Sequence, residues 1–255
     1  MKGGKTAPRS DPPSASPPVA LHAAACTEDT PAPGLKVLQP KRGYRWGVEV
    51  YALAGFALGI GAPDGECPPA CAVDLGSGSG IVAFLLASAG WRVRGWERDP
   101  GWVQLARASL ARSPAARGRV SFREADVRTA RGAPADLVVT NPPWFRPDAG
   151  PTSPEAHRAA ARTMLAGDVE DFLRAGLRLA PRVCVVTRRE RLEELRPKPL
   201  HPKGAFVART AWISAGVGLA ELRRGEGTPN PVAENLDLTA IYARFRGVGA
   251  TGRVG

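Results

Sequence analysis

An asparagine, two prolines and an aromatic, Asn141-Pro142-Pro143-Trp144, close an apolar run from Ala135 to Thr140. The run reads as a buried strand. Each proline lacks an N–H and holds φ at about −65°, and each biases the residue before it toward extended backbone. The result is a stiff bend that leaves one side-chain amide, free carbonyls and one aromatic face at a strand end. That set suits a flat base bearing an exocyclic amine. The Trp144 ring would stack on the base, while Asn141 Oδ1 and the Pro142 carbonyl would accept its N–H groups. A turn that ends a strand with prolines has the same sequence, so the tetrapeptide alone leaves both readings open.

A second chemical segment lies upstream, at Asp74-Leu75-Gly76-Ser77-Gly78-Ser79-Gly80. Its glycines let backbone approach a ligand at angles a Cβ would forbid. Such a loop could serve a dinucleotide, a sulfonium cofactor or only a tight turn. The dinucleotide fingerprint places its third glycine at the sixth position, where this chain has Ile81. Asp74 suits a cationic amino group better than a pyrophosphate. Glu97, at the tip of the next strand, could accept both hydroxyls of a ribose. Asp99 competes for that role, but Asp99-Pro100 looks like a helix start. Asp126 follows the third strand and could accept from an adenine amine. An amine, a ribose diol and an adenine without phosphates are the demands of S-adenosylmethionine. Gly76, Ser77, Gly78 and Gly80 complete the candidate cofactor set, to which Asn141 also belongs.

Alternating elements must position these groups. Strands are expected at Cys71–Leu75, Arg92–Glu97, Arg119–Glu124, Ala135–Thr140 and Val183–Thr187. Helices are expected at Val48–Leu58, Ile81–Ala89, Trp102–Ala111, Asp168–Leu179 and Arg189–Leu195. Two β-prone segments, Phe206–Ala220 and Leu238–Phe245, follow. Single helices between strands imply right-handed crossovers. The predicted fold is therefore α/β, a doubly wound, mostly parallel sheet with an antiparallel C-terminal strand. Residues 1–34 read as a disordered Pro/Ala-rich tail, residues 35–247 as the folded domain and 248–255 as a flexible C-terminus.

Composition narrows the partners. The 255-residue chain carries 35 Lys and Arg against 24 Asp and Glu, a net charge of +11. Such an excess favours a polyanion held through phosphate contacts, although an Arg- and Ala-rich composition supplies part of it. Cys26, Cys67, Cys71 and Cys184 form no Cys-x-x-Cys pair, and there are only three histidines. The expectation is no metal site and reduced thiols in a cytoplasmic protein. No apolar run reaches the roughly 18 residues a membrane span needs. Pro12-Pro13-Ser14 and Pro17-Pro18 interrupt any signal-like apolar stretch.

The glycine loop combined with Asn-Pro-Pro-aromatic after the fourth strand resembles the Rossmann-like amino methyltransferases. Residues Leu38-Gln39-Pro40-Lys41-Arg42-Gly43-Tyr44-Arg45-Trp46-Gly47-Val48-Glu49 resemble the opening stretch of the bacterial valine-tRNA adenine-N6 methyltransferases. Asn141-Pro142-Pro143-Trp144-Phe145, the Ala156-His157-Arg158 stretch and Arg188-Arg189-Glu190-Arg191-Leu192 resemble later segments of that family. Trp144 stands where the family has Tyr, and Glu49 where it has Asp. The resemblance implies methyl transfer from S-adenosylmethionine to an adenine amine in structured RNA, tRNA first. The enzyme would be a monomer, with Asn141, Pro142, Pro143 and Trp144 catalytic.

An unpaired RNA loop makes extrusion of the base cheap, and Phe145 would help hold it. Lys41, Arg42, Arg45 and Arg146 would meet phosphates around the pocket, Arg188 and Arg189 further out, and His157 and Arg158 are RNA contacts by resemblance. Any one of these cations also fits a solvated surface charge. Release-factor glutamine-N5 methyltransferases share Asn-Pro-Pro-Tyr, but carry a helical recruiting domain. DNA and ribosomal-RNA amino methyltransferases often add a large recognition domain. An RNA-binding protein on the same scaffold would need neither the glycine loop nor Asn-Pro-Pro.

Overall fold

The computed structural model describes residues 25–42, 45–62, 64–143, 168–195, 204–228 and 233–247. An antiparallel ribbon comes first, β1 (Cys26–Asp29) against β2 (Val37–Pro40). Order therefore begins before residue 35, which corrects the expected tail boundary. The ribbon is held from outside itself. Ser109 Oγ accepts the Leu38 N–H at 3.0 Å, and Ser113 Oγ accepts the Lys36 N–H at 2.9 Å. Residues 1–24 and 248–255 lie outside the described residues.

Next come α1 (Val48–Leu58), β3 (Cys71–Leu75), α2 (Ile81–Ser88), β4 (Arg92–Glu97) and α3 (Pro100–Arg112). They are followed by β5 (Val120–Glu124), β6 (Leu137–Thr140), α4 (Val169–Leu179), β7 (Arg182–Arg188) and α5 (Arg189–Leu195). The last elements are β8 (Ala205–Ser214), β9 (Val217–Arg224), β10 (Ala233–Glu234) and α6 (Leu238–Arg246). Among the described residues the main sheet runs β10-β8-β9-β7-β6-β3-β4-β5. Its β7-β6-β3-β4-β5 portion is parallel, and β9 is antiparallel to both β7 and β8. The antiparallel strand expected toward the C-terminus is thus β9, and the sheet is doubly wound.

Side-chain alternation splits the core between the two faces. Ala72, Val93, Phe122 and Val139 face α1, α2, α3 and α6. Val73, Leu75, Val138 and Val185 face α4 and α5, and Trp96 lies on the same side of the sheet beyond them. Helix α1 is buried from Val50 to Leu58 and meets α6 closely: a Cβ on Gly55 would lie 2.4 Å from Ile241 Cγ1. Tyr51 packs on Tyr242 and Phe245, with ring centroids 4.9 and 6.1 Å away.

Two expectations about the C-terminal part are corrected. Phe206–Ala220 is not one β segment but parts of two paired strands, β8 and β9. Leu238–Phe245 is helical, not β. Asp237 caps it, accepting the Ala240 N–H at 2.9 Å, and Gly247 ends it in the left-handed region at φ 68°. Ile241 and Phe245, four apart, are its buried residues.

Candidate active site

The strand order reverses at β3, whose neighbours are β4 on one side and β6 on the other. In an open α/β sheet, ligands collect at the carboxyl ends of strands beside such a reversal. The glycine loop leaves β3 there, Asn141-Pro142-Pro143 leaves β6, and Glu97 ends β4. The Thr140 hydroxyl donates to the Leu75 carbonyl at 2.9 Å, joining the two strand ends that carry the loop and the asparagine. Asn141 and Pro143 are half-buried and Pro142 is buried.

Loop geometry explains its glycines. Gly76, Gly78 and Gly80 have φ of 69°, 51° and 83°. Gly76 and Gly80 are also crowded, since a Cβ would lie 2.9 Å from Phe172 Cε1 or 2.4 Å from Phe122 Cζ. At Gly78 a Cβ would meet nothing within 4 Å, so the loop apex faces open space. Beneath it, Ser77 Oγ is buried with no hydrogen-bond partner among the described residues. A buried hydroxyl without a partner costs about 1–3 kcal/mol, which a polar ligand would recover. The cradle thus fits a small polar group approached by backbone.

The acids hold the loop before any ligand does. Gly80, the residue just before α2, has no side chain to cap the helix, and Asp74 Oδ2 accepts the Ala83 N–H at 3.1 Å instead. Burial, opposed by that N–H and aided by the Glu97 charge, lifts the Asp74 carboxyl to about 7. Glu97 Oε2 accepts the Gly78 N–H at 3.0 Å, and Oε1 accepts those of Arg98 and Asp99 at 2.8 and 3.0 Å. Burial pushes its pKa up against those three bonds. Asp99 caps α3, accepting the Gly101 N–H at 2.7 Å. Asp126 is engaged by Arg128, whose Nε lies 3.0 Å from Oδ1 and Nη2 2.6 Å from Oδ2. Arg98 Nε stands 3.6 Å from the same Oδ2. These contacts, Arg128 first, hold the Asp126 carboxyl below the usual range.

The expected RNA-contacting cations divide. Lys41, Arg42 and Arg188 are exposed. Arg45 is instead turned onto the ribbon, donating to Thr27 Oγ1 at 2.8 Å and the Pro40 carbonyl at 3.0 Å, beside Asp29. Gln39 joins the same cluster: its Oε1 accepts the Trp46 N–H at 3.0 Å and its amide donates to Asp29. Arg189 lies 4.7 Å over the Trp212 ring and pairs with Glu193. Gly43, Tyr44, Trp144, Phe145, Arg146, His157 and Arg158 lie outside the described residues. Among the described residues no group of three metal-ligating side chains occurs, and no helix is long and apolar enough to cross a membrane.

A cluster with no signal in the sequence centres on Glu221, which is fully buried. It pairs with Arg182 at 2.9 Å, Arg223 at 2.7 Å and Arg209 at 3.3 Å. Arg182 opens β7 and Glu221 lies in β9, so the cluster braces the sheet away from the strand ends that carry the site.

Residues 68–168 match the model of the methyltransferase small domain. The tRNA1(Val) (adenine(37)-N6)-methyltransferase of Porphyromonas gingivalis is 33% identical over 156 residues, 56% of this chain and 60% of that protein. The protein of the same name from Aeromonas hydrophila is 37% identical over 128 residues, 49% of this chain and 52% of that protein. The chain thus spans 52–60% of the length of these curated relatives. In fold it is similar to the CcbJ methyltransferase of Streptomyces caelestis, with TM-score 0.52, 12% identity, and coverage of 71% of this chain and 91% of that one. The match to the methyltransferase small domain, residues 68–168, takes in both the glycine loop and Asn141-Pro142-Pro143.

Proposed function

We propose that this protein methylates the N6 amine of an adenine in structured RNA, tRNA first, using S-adenosylmethionine. The observation that carries the reading is the latch of Thr140 on Leu75, which sets Asn141-Pro142-Pro143 beside the glycine loop. The relatives named tRNA1(Val) (adenine(37)-N6)-methyltransferase support the substrate class.

The cofactor, when bound, supplies an electrophilic methyl on a sulfonium. Gly76, Ser77, Gly78 and Gly80 would cradle it by backbone and by the unpartnered Ser77 hydroxyl. Asp74 would favour its ammonium, Glu97 its ribose and Asp126 its adenine, the last two by exchanging bonds they already make. Asn141 Oδ1 and the Pro142 carbonyl accept the N–H groups of the target amine, and Pro143 stiffens the bend. Accepting both protons directs the nitrogen lone pair out of the ring plane, so positioning supplies most of the catalysis. The attacking amine would need no strong base first, because it becomes acidic only on taking the methyl, and its extra proton would then leave to water. Trp144 and Phe145 stack on the extruded base. Lys41, Arg42, Arg146, Arg188 and Arg189 would meet phosphates, and His157 and Arg158 would be RNA contacts. In this reading the enzyme is a cytoplasmic monomer whose folded unit ends near residue 247.

The test is methyl transfer from labelled S-adenosylmethionine into tRNA from a strain lacking the gene, with nucleoside mass spectrometry as readout. N6-methyladenosine made by the wild type and absent with Asn141→Ala is the expected result. Unlabelled tRNA with cofactor binding intact overturns the tRNA substrate.

A further inference from the structure

Among the described residues strand β5 is one edge of the sheet, with β4 its only neighbour. On the α4 face, the helices α4 and α5 cover β3, β6 and β7, while no described helix covers β4 and β5. Alternation places Arg92 and Arg94 of β4 on that face with Trp96, and pairs Trp96 with Arg123 of β5. Arg119, just before β5, lies beside them, its carbonyl accepting the Val93 N–H at 2.8 Å.

These four guanidiniums are oriented without being neutralised. Arg94 donates to the Ala133 and Pro134 carbonyls at 2.7 and 3.0 Å, and Arg119 to the Gly90 carbonyl at 2.9 Å. Arg123 donates to the Arg131 carbonyl at 2.7 Å and lies 3.9 Å over the Trp96 ring. Arg92 reaches Cys71 Sγ at 3.3 Å. None of the four pairs with a carboxylate among the described residues, whereas Arg98, Arg112 and Arg128 do. Each guanidinium has five donors and spends one or two. Arg92, Arg119 and Arg123 are exposed and Arg94 is half-buried.

Charge on a sheet edge also guards against strand pairing between molecules. That accounts for Arg119 and Arg123. It leaves Arg92 and Arg94 unexplained, because β4 is paired on both sides. Extending the register by one residue sets Arg92 across from Arg119 at about 4.8 Å, Arg94 lies about 6.7 Å from Arg92 along β4, and Arg123 stands across from Trp96. These four uncompensated arginines are complementary to a chain of phosphates.

We infer that Arg92, Arg94, Arg119 and Arg123 form a docking surface for the phosphodiester backbone of the RNA substrate, alongside the site at the strand ends. This rests on the RNA reading above. The row runs from the amino end of β4 toward its carboxyl end, so it engages the body of a folded RNA and not the nucleotide being modified.

The experiment compares wild type, Arg92→Gln/Arg119→Gln and Arg92→Lys/Arg119→Lys in equilibrium binding to full-length tRNA across a salt series. Methyl transfer to a short adenine-containing hairpin and a thermal melt accompany it. The Gln variant should bind tRNA at least tenfold more weakly, and its slope of log affinity against log salt should fall by about two. The Lys variant should restore the slope, and methyl transfer to the hairpin should be unchanged. Arg94→Gln/Arg123→Gln repeats the test if the first pair melts early. Wild-type binding with an unmoved slope in both Gln variants overturns the docking surface alone. A wild type that binds no RNA overturns it together with the function proposed above.

Discussion

Thr140 Oγ1 and the Leu75 carbonyl, 2.9 Å apart, bind the last residue of β6 to the last residue of β3. Two segments 65 positions apart in the chain thereby become one rigid rim. Thr140→Val keeps the shape and deletes the donor. A loss of about 1 kcal/mol in stability is expected, read as a lower melting temperature. The turnover of methyl transfer should fall more than the apparent affinity for RNA, because the asparagine loses its position and not its chemistry.

Burial of Asp74 should make the protein's stability depend on pH up to neutrality. Its folded pKa is raised to about 7, so the neutral form is favoured by folding. The stability it contributes is fully present below the unfolded value and is lost as pH rises through about 7. Asp74→Asn keeps an acceptor for the Ala83 N–H and should flatten that loss, leaving the variant a few kcal/mol more stable above pH 7. Binding of a cationic ammonium favours the carboxylate. S-adenosylmethionine affinity should therefore tighten from pH 6 to pH 8 in the wild type and stay flat and weaker in the variant, measured by calorimetry.

The loop glycines should separate folding from binding. Gly80→Ala places a Cβ 2.4 Å from Phe122 Cζ at a left-handed φ, so it should destabilise well beyond the roughly 1–2 kcal/mol of backbone strain. Gly78→Ala meets nothing within 4 Å and should cost only that strain. Its effect should appear instead as cofactor affinity at least tenfold weaker. Melts and cofactor titrations of the two variants distinguish these outcomes.

Arg128 holds the carboxylate assigned to the cofactor's adenine. Removing its side chain by Arg128→Gln takes away the 2.6 Å contact on Oδ2 and the 3.0 Å contact on Oδ1, while Oδ1 keeps the Arg128 backbone N–H at 2.9 Å. Cofactor binding should tighten severalfold, while Asp126→Asn should weaken it. Tighter binding in neither, or weaker binding with Arg128→Gln, would show that Asp126 and the adenine do not meet.

Glu221→Gln tests the brace remote from the site. Three arginines would be left beside a neutral amide in a buried position, at a cost of about 3–5 kcal/mol. Burial raises the Glu221 pKa, but Arg182 and Arg223 outweigh it and lower it overall. The stability it contributes is present above the unfolded carboxyl pKa and is lost as pH falls through the folded value. The melting temperature should fall sharply, and activity per folded molecule should not.

Local pattern made much of the fold legible. The bounds of α1, β3, β4 and α5 follow from apolar runs and turn residues, and from Asp168 the capped start of α4. Strand β1 was hidden because Cys26-Thr27-Glu28-Asp29 has no apolar alternation and is fixed by its pairing with β2 and by the Glu28–Arg112 ion pair with α3. Helix α6 was misread because its aromatic and β-branched residues favour strands, whereas its cap and its four-residue burial period decide otherwise. At the site, residue type suggested chemistry but not present occupancy. Nothing in the identities of Glu97 and Asp126 says that backbone N–H groups and Arg128 already hold them. Arg45 counted as a surface cation until Thr27, Asp29 and the Pro40 carbonyl were seen to claim it.

The seating of Ile241 on Gly55 has a consequence for how the chain is made. Helix α1 is synthesised early and is apolar on every side, yet part of its cover, Ile241, Tyr242 and Phe245, emerges almost two hundred residues later. During translation that surface waits uncovered, which is the condition under which nascent chains aggregate or recruit chaperones. A premature stop before residue 238 would keep every residue of the glycine loop and of Asn141-Pro142-Pro143, and still yield a product that the cell must rescue or degrade.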